Sequence, residues 1–327
     1  MSNVEAHPPE VVCGAGDPPQ HAVEVIPPRD VPLGGPRAMT VRRTLPQRKR
    51  SLIGAWCFLD HYGPDDVSAS GGMDVPPHPH TGLQTVSWLF TGEIEHRDSL
   101  GMHAMVRPGE LNLMSAGRGI CHSEVSTAAT TVLHGAQLWI ALPQSHRDGP
   151  RDFTHYVPEP LRSDRLTARV FLGSLLGSRS PVETAAPILG AELLLPVGSS
   201  ARIEVEDDFE HGLLVDTGSV EFCGTALERA ELGFSGEGRR TLTLRNTGAD
   251  PARMLLLGGP PFGEEIVMWW NFVGRSHEEI AAFREEWQDR SPRFGEVHGY
   301  AGHDPQGIDR LPAPPLPHAR ITPRRNP

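Results

Sequence analysis

Short apolar or alternating runs, each broken after a few residues by Gly, Pro, Asp or Asn, constrain the fold of this chain more than any other feature. The runs QTVSWLFTGEIEHR, ELNLMSAG, GAQLWIAL, ARVFLGSLLG, AELLLPVG, GLLVDTGSVEFCG, RTLTLRNTG and RMLLLGG recur with the spacing of an antiparallel sandwich or barrel. The turn-rich stretch 143–165 divides them into two series, and 327 residues suffice to bury two cores. The reading is an all-β chain of two barrels: an N-terminal unit over 21–145, a linker over 146–165 and a C-terminal unit over 166–290. Residues 1–20 and 291–327 are expected to be loose tails, because prolines at their density remove backbone donors and build no core.

One helix is expected near the end of the second unit. Ser276 can serve as N-cap with Glu279 three residues on, a capping box. Ile280, Phe283 and Trp287 then follow at spacings of three and four, making one apolar stripe. That stripe packs on a barrel or, alternatively, meets a partner protein.

Composition excludes several functions. No run approaches the roughly 20 apolar residues that cross a bilayer, and the start MSNVEAHPPEVVCGAG has no basic-then-apolar signal pattern, so a cytoplasmic location is expected. A net charge of −11 repels a phosphate backbone. The one basic run, Arg42, Arg43, Arg48, Lys49 and Arg50, reads as a solvated edge strand and turn, so direct nucleic-acid binding is not expected. Cys13, Cys57, Cys121 and Cys223 are scattered, suggesting neither a zinc ribbon nor a disulfide framework.

The chemistry concentrates in two segments. In GGMDVPPHPHTGLQTVSWLFTG, His78 and His80 are two apart and share one face of a strand. Carried on without a bulge at Gly82, that parity places Gln84, Val86, Trp88 and Phe90 on the same face, a candidate pocket wall of one amide and three large apolar side chains. In SAGRGICHSEVS, His122 and Glu124 share a face while Cys121 points away. Three neutral imidazoles and one carboxylate suit Fe(II), Mn, Co, Ni or Zn and leave open positions on an octahedral ion. His96 and Asp98 share strand parity, either behind the ligands to orient their imidazoles or on a rim. His61 in FLDHYGP reads as a packed or capping histidine rather than a ligand. HEEIA at 277 lacks the second histidine of a zinc-protease helix.

The spacing of Gly72, His78 and His80 matches the first cupin motif, with Gln84 where Glu is usual. The segments RRTLPQRKRSLIGAWCFLDHYGP, HPHTGLQTVSWLFTGEIEHRDSLG, MSAGRGICHSE, HGAQLWIAL and LLLGGPPFGEEIVMWWNFVGRSHEEI resemble successive signatures of the pirin family, from about residue 40 to 290. The resemblance implies a bicupin of jelly-roll barrels, with one divalent metal, foremost Fe(II), held by His78, His80, His122 and Glu124. It implies a C-terminal barrel without metal, and from Leu161 to Gly274 the only histidine is His211. Two functions follow from it. One is a dioxygenase, quercetin 2,4-dioxygenase-like, taking a small aromatic flavonol and O2, with Glu124 as the catalytic proton acceptor. The other is a metal-sensing regulatory protein that binds a protein partner without turnover. A monomer is expected in either case.

Overall fold

The computed structural model describes residues 22–33, 39–302 and 308–323. The expected N-terminal tail, 1–20, lies outside them. Each half of the chain is a large antiparallel sheet facing a small one. In the first half the large sheet runs, in spatial order, Asp152–Tyr156, Leu111–Ser115, Leu83–Thr91, Val132–Ala141, Trp56–Asp66, Met39–Leu45 and Arg29–Leu33. Its small sheet is Asp74–His80, Ile120–Ser126, Ile94–Asp98 and His103–Val106. The second half repeats the plan. Its large sheet includes Leu232–Ser235, Glu210–Thr217, Ala252–Gly259 and Leu189–Leu195, facing Ser200–Glu204, Thr241–Asn246, Val220–Phe222 and Thr225–Leu227.

The two large sheets pack against each other. Trp56, Val86, Trp88 and Leu138 of the first half share one buried core with Phe171, Leu214, Leu232 and Leu257 of the second. Strands of the large sheets are therefore buried on both faces, one inside their own barrel and one between barrels. This is why runs such as GAQLWIAL show little clean alternation.

Three boundaries differ from the sequence reading. Glu24–Ile26 pairs with Leu232–Ser235 in the second half, although it precedes the first. Asp152–Tyr156, expected in the linker, is a strand of the first half paired with Leu111–Ser115. The Pro-rich end is not loose along its described length. Phe294, Leu311 and Ala313 are buried in the core of the first half. The Leu311 amide donates to the Pro77 carbonyl at 2.9 Å, and Trp287 Nε1 donates to the Leu311 carbonyl at 2.8 Å. Prolines bar this strap from a sheet ladder, but its intervening apolar side chains still fill a groove.

The helix His277–Gln288 is capped by Ser276, whose hydroxyl accepts from the Glu279 amide. Its stripe of Ile280, Phe283 and Trp287 is buried with Met73, Val75 and Phe272, so it packs on the first half and faces no partner. The basic run is also internal in large part. Arg43 forms a buried bidentate pair with Asp60 at 2.6 and 2.8 Å, and Arg50 pairs with Glu24. Arg42 donates to His61 Nδ1, leaving Arg48 and Lys49 exposed.

Candidate metal centre

The adjacent strands Asp74–His80 and Ile120–Ser126 set His122 directly opposite His78. The side chains of His78, His80 and His122 are fully buried inside the first barrel. Their ligand atoms form one group within 4.8 Å of one another, and Glu124, His122 and His96 form a second, overlapping group. The pairing of these strands shifts between His122 and Glu124, yet both side chains stay inside the barrel.

Backbone carbonyls orient the imidazoles. His78 Nδ1 donates to the Pro76 carbonyl at 2.9 Å, and His80 Nδ1 donates to the Asn271 carbonyl at 3.1 Å. Each leaves Nε2 as the lone-pair nitrogen. His78 Nε2 is buried with no partner, and His80 Nε2 stands 3.1 Å from His122 Nε2. Burial, reinforced for His78 and His122 by their neighbouring histidines, holds all three imidazoles well below their ordinary pKa. Neutral imidazoles with ligand atoms within 4.8 Å of one another, and a carboxylate grouped with the shared His122, fit a divalent transition metal.

Behind His122 runs a line of support. With Nε2 inward, His122 Nδ1 donates to His96 Nδ1 at 3.3 Å, and His96 Nε2 donates to Asp98 Oδ2 at 3.2 Å. Asp98 Oδ1 is fixed by the amides of Leu100 and Met102. His96 and Asp98 are thus buried behind the imidazoles rather than on a rim. Cys121 points to the outer strap, where its thiol donates to the Gly295 carbonyl, and burial pushes its pKa up to about 11.

The expected pocket wall of Gln84, Val86, Trp88 and Phe90 is corrected. Val86, Trp88 and Phe90 belong to the core between the barrels, and Gln84 shares their parity. Trp88 lies against Phe171, and its Nε1 donates to Glu192 Oε2 at 2.8 Å. Phe90 contacts His134 and Arg253. The turn at Thr81 and Gly82 moves the chain from the small sheet to the large one and reverses the phase. Gly82 has φ +66°, and a Cβ there would stand 2.4 Å from the Val273 carbonyl oxygen, so only glycine fits.

The opposite parity faces the site. Ser87 Oγ is 3.3 Å from Glu124 Oε1 and 2.9 Å from Gln137 Oε1. Trp139, two residues beyond Gln137, meets His80 edge-on at 5.2 Å and stacks on Phe58 at 4.0 Å. Among the described residues, three buried donors on this inner surface have no partner: Tyr62 Oη, Gln137 Nε2 and Trp139 Nε1. Burial pushes the Tyr62 phenol well above its usual pKa, so it remains a donor. The sequence reading missed these residues. Their signal was the i, i+2 spacing of Gln137 and Trp139 in GAQLWIAL.

Comparison with known proteins agrees with this architecture. Residues 38–140 match the pirin family profile, and residues 190–295 match the pirin C-terminal cupin domain. A Pseudomonas aeruginosa protein provisionally named quercetin 2,3-dioxygenase is 43% identical, over 91% of this chain and 92% of its own. A pirin-like protein of Caulobacter vibrioides is 33% identical, over 76% of this chain and 88% of its own. The crystal structure of quercetin 2,3-dioxygenase from Acinetobacter baumannii superposes with a TM-score of 0.85 at 37% identity, over 93% of this chain and 98% of that one. With both domains matched in order, this chain belongs to the pirin family of the cupin superfamily.

Proposed function

We propose that this protein is a metal-dependent dioxygenase acting on quercetin-like flavonols. The observation that carries the reading is a buried cluster of three neutral imidazoles and a carboxylate, beside three unpartnered hydrogen-bond donors. Relatives with quercetin dioxygenase names support the substrate class. Those relatives carry the 2,3 designation in their names, and the resemblance carries the 2,4 designation.

His78, His80, His122 and Glu124 would hold one divalent cation, foremost Fe(II), with Mn, Co, Ni and Zn as competitors for the same donors. When bound, the metal lowers the pKa of a substrate hydroxyl and polarises adjacent oxygens. Glu124 takes the hydroxyl proton, with the Ser87 hydroxyl, which donates to Gln137 Oε1 at 2.9 Å, standing 3.3 Å from its Oε1. Tyr62, Gln137 and Trp139 donate to the oxygens of a polyhydroxylated ligand, while Phe58 and Trp139 form the apolar wall. His96 and Asp98 fix the tautomer and ring plane of His122.

The regulatory alternative loses the features that served it. The helix stripe is buried, and three of the five basic residues are engaged internally. Among the described residues no helix is long and apolar enough to cross a membrane.

The test is O2 uptake by metal-free protein reloaded anaerobically with Fe(II) and then given quercetin and O2. Uptake should be abolished in His122→Ala. Full iron occupancy without uptake would defeat the flavonol reading, and failure of the unaltered protein to retain iron would defeat the ligand assignment.

A further inference from the structure

Both sheets of the second half end in open edges. Among the described residues, Leu161–Arg162 is the last strand of the large sheet and pairs only with Thr167–Leu172. Ser200–Glu204 is likewise the last strand of the small sheet and pairs only with Thr241–Asn246. The Ser199 carbonyl accepts from the Asn246 amide, and the Val205 amide donates to the Arg240 carbonyl. Antiparallel alternation between those two bonds turns the backbone groups of Ser200, Arg202 and Glu204 outward, away from the sheet. An edge of this kind is a template for another strand.

A groove of about 790 Å³ is lined by both edges. Arg162, Arg165, Arg202 and Arg245 line it, with Glu221 as the one acid. Glu221 pairs with Arg245 at 2.5 Å. The other three guanidinium groups are exposed and have no ion-pair or hydrogen-bond partner among the described residues. On a chain of net charge −11 this is a local reversal of sign. Leu161, Leu166, Leu176 and Ala201 give the same groove an apolar side.

These features restrict the occupant. Outward backbone groups select an extended chain, and free arginines select carboxylates. Edge-to-edge pairing with a second copy of this protein would bring like charges together. A strand laid along Ser200–Glu204 alternates its side chains in step with its neighbour. Residues on the face of Arg202 meet guanidinium groups, and those on the face of Ala201 turn to the apolar side. Glu204 shares the face of Arg202, so carboxylates belong toward the Ser200 end.

We propose that this groove docks an extended acidic segment of another protein, by strand addition along Ser200–Glu204. In that segment Asp or Glu alternates with aliphatic residues. Its carboxylates pair with Arg162, Arg165 and Arg202, and its aliphatic side chains cover Leu161 and Leu166. Docking requires neither a metal in the first barrel nor the flavonol reaction.

The test uses the full chain and a capped, fluorescent Glu-Val-Glu-Val-Glu peptide, followed by anisotropy at low salt. The controls are Lys-Val-Lys-Val-Lys and the block peptide Glu-Glu-Glu-Val-Val. The alternating acidic peptide should bind saturably, at least about tenfold tighter than the lysine peptide and more tightly than the block peptide. It should also slow hydrogen exchange at the Ser200 and Arg202 amides. Arg162→Glu combined with Arg202→Glu should weaken binding at least about tenfold. Ser200→Pro, which keeps every arginine and removes an outward N–H at the start of the strand, should weaken it as well. Metal uptake and melting temperature should stay unchanged in both variants. Absence of saturable binding, equal binding of the lysine peptide, unaltered exchange at both amides, or full binding by both variants would overturn the proposal. Displacement of the peptide by oligothymidylate at lower concentration would also overturn it, by assigning the groove to nucleic acid.

Discussion

The indole of Trp88 lies 4.5 Å from the ring of Phe171, centroid to centroid, and so joins the two barrels. Its Nε1 donates to Glu192 Oε2, also in the second half. Trp88→Ala is expected to destabilise the protein by about 3–5 kcal/mol, from lost packing and an orphaned Glu192. Denaturant unfolding measures this, and metal stoichiometry should not change. A variant of normal stability with weakened flavonol binding would place Trp88 in the substrate pocket instead.

The unpartnered donors predict an inverse pattern. Tyr62→Phe and Trp139→Phe each remove a donor that makes no hydrogen bond among the described residues. Tyr62→Phe, which changes little else, should leave thermal stability equal or slightly higher. Both should raise the KM for a flavonol by about tenfold for each lost hydrogen bond. A Tyr62→Phe loss of more than about 1 kcal/mol in stability would mean that the hydroxyl has a structural partner.

The line from Asp98 through His96 to His122 predicts a graded effect on metal affinity. His96→Ala should weaken binding by about 10–100-fold without abolishing it, whereas His78→Ala should abolish tight binding. Competition titration against a chelator of known affinity separates these outcomes. Removing the metal should also lower the melting temperature, because an ion bound only by the folded state stabilises it.

Asp216 predicts acid sensitivity. It is fully buried between the barrels and accepts from His61 Nε2 at 2.7 Å and His134 Nε2 at 2.6 Å. Burial alone would raise its pKa, but those hydrogen bonds hold the carboxyl well below the usual carboxylate range. The unfolded carboxyl, near about 3.9, therefore takes up a proton first as pH falls. The stabilisation is full above about pH 5 and is lost progressively below it. Asp216→Asn should be less stable at pH 7 and show a flatter pH dependence below about pH 4. An unchanged acid-unfolding profile would remove Asp216 from this role.

His61 shows why the sequence could be read at some positions and not others. It reads as a packed histidine and is one, but its partner Asp216 lies 155 residues away. The pairs His78/His80 and His122/Glu124 were legible because side-chain alternation is a local property of each strand. The same rule failed across Gly82, where the chain changes sheets and the phase resets. Trp88 is as apolar as any pocket residue, and a strand buried on both sides does not reveal which face is inside. The Pro-rich strap was misread because proline content reports the loss of ladder donors, not whether the apolar residues between find a groove.

The sequence by itself determined the all-β class, the division into two barrels, the capped helix and the candidate ligand residues. Each follows from strand alternation, turn chemistry or capping within a short stretch. Only the tertiary structure decided which face of Leu83–Thr91 meets the candidate site, what orients His80, and that the two large sheets bury each other. Those depend on contacts such as His80 with Asn271, 191 residues apart, and on burial shared between barrels. Local periodicity carries no information about which distant surface a strand will meet.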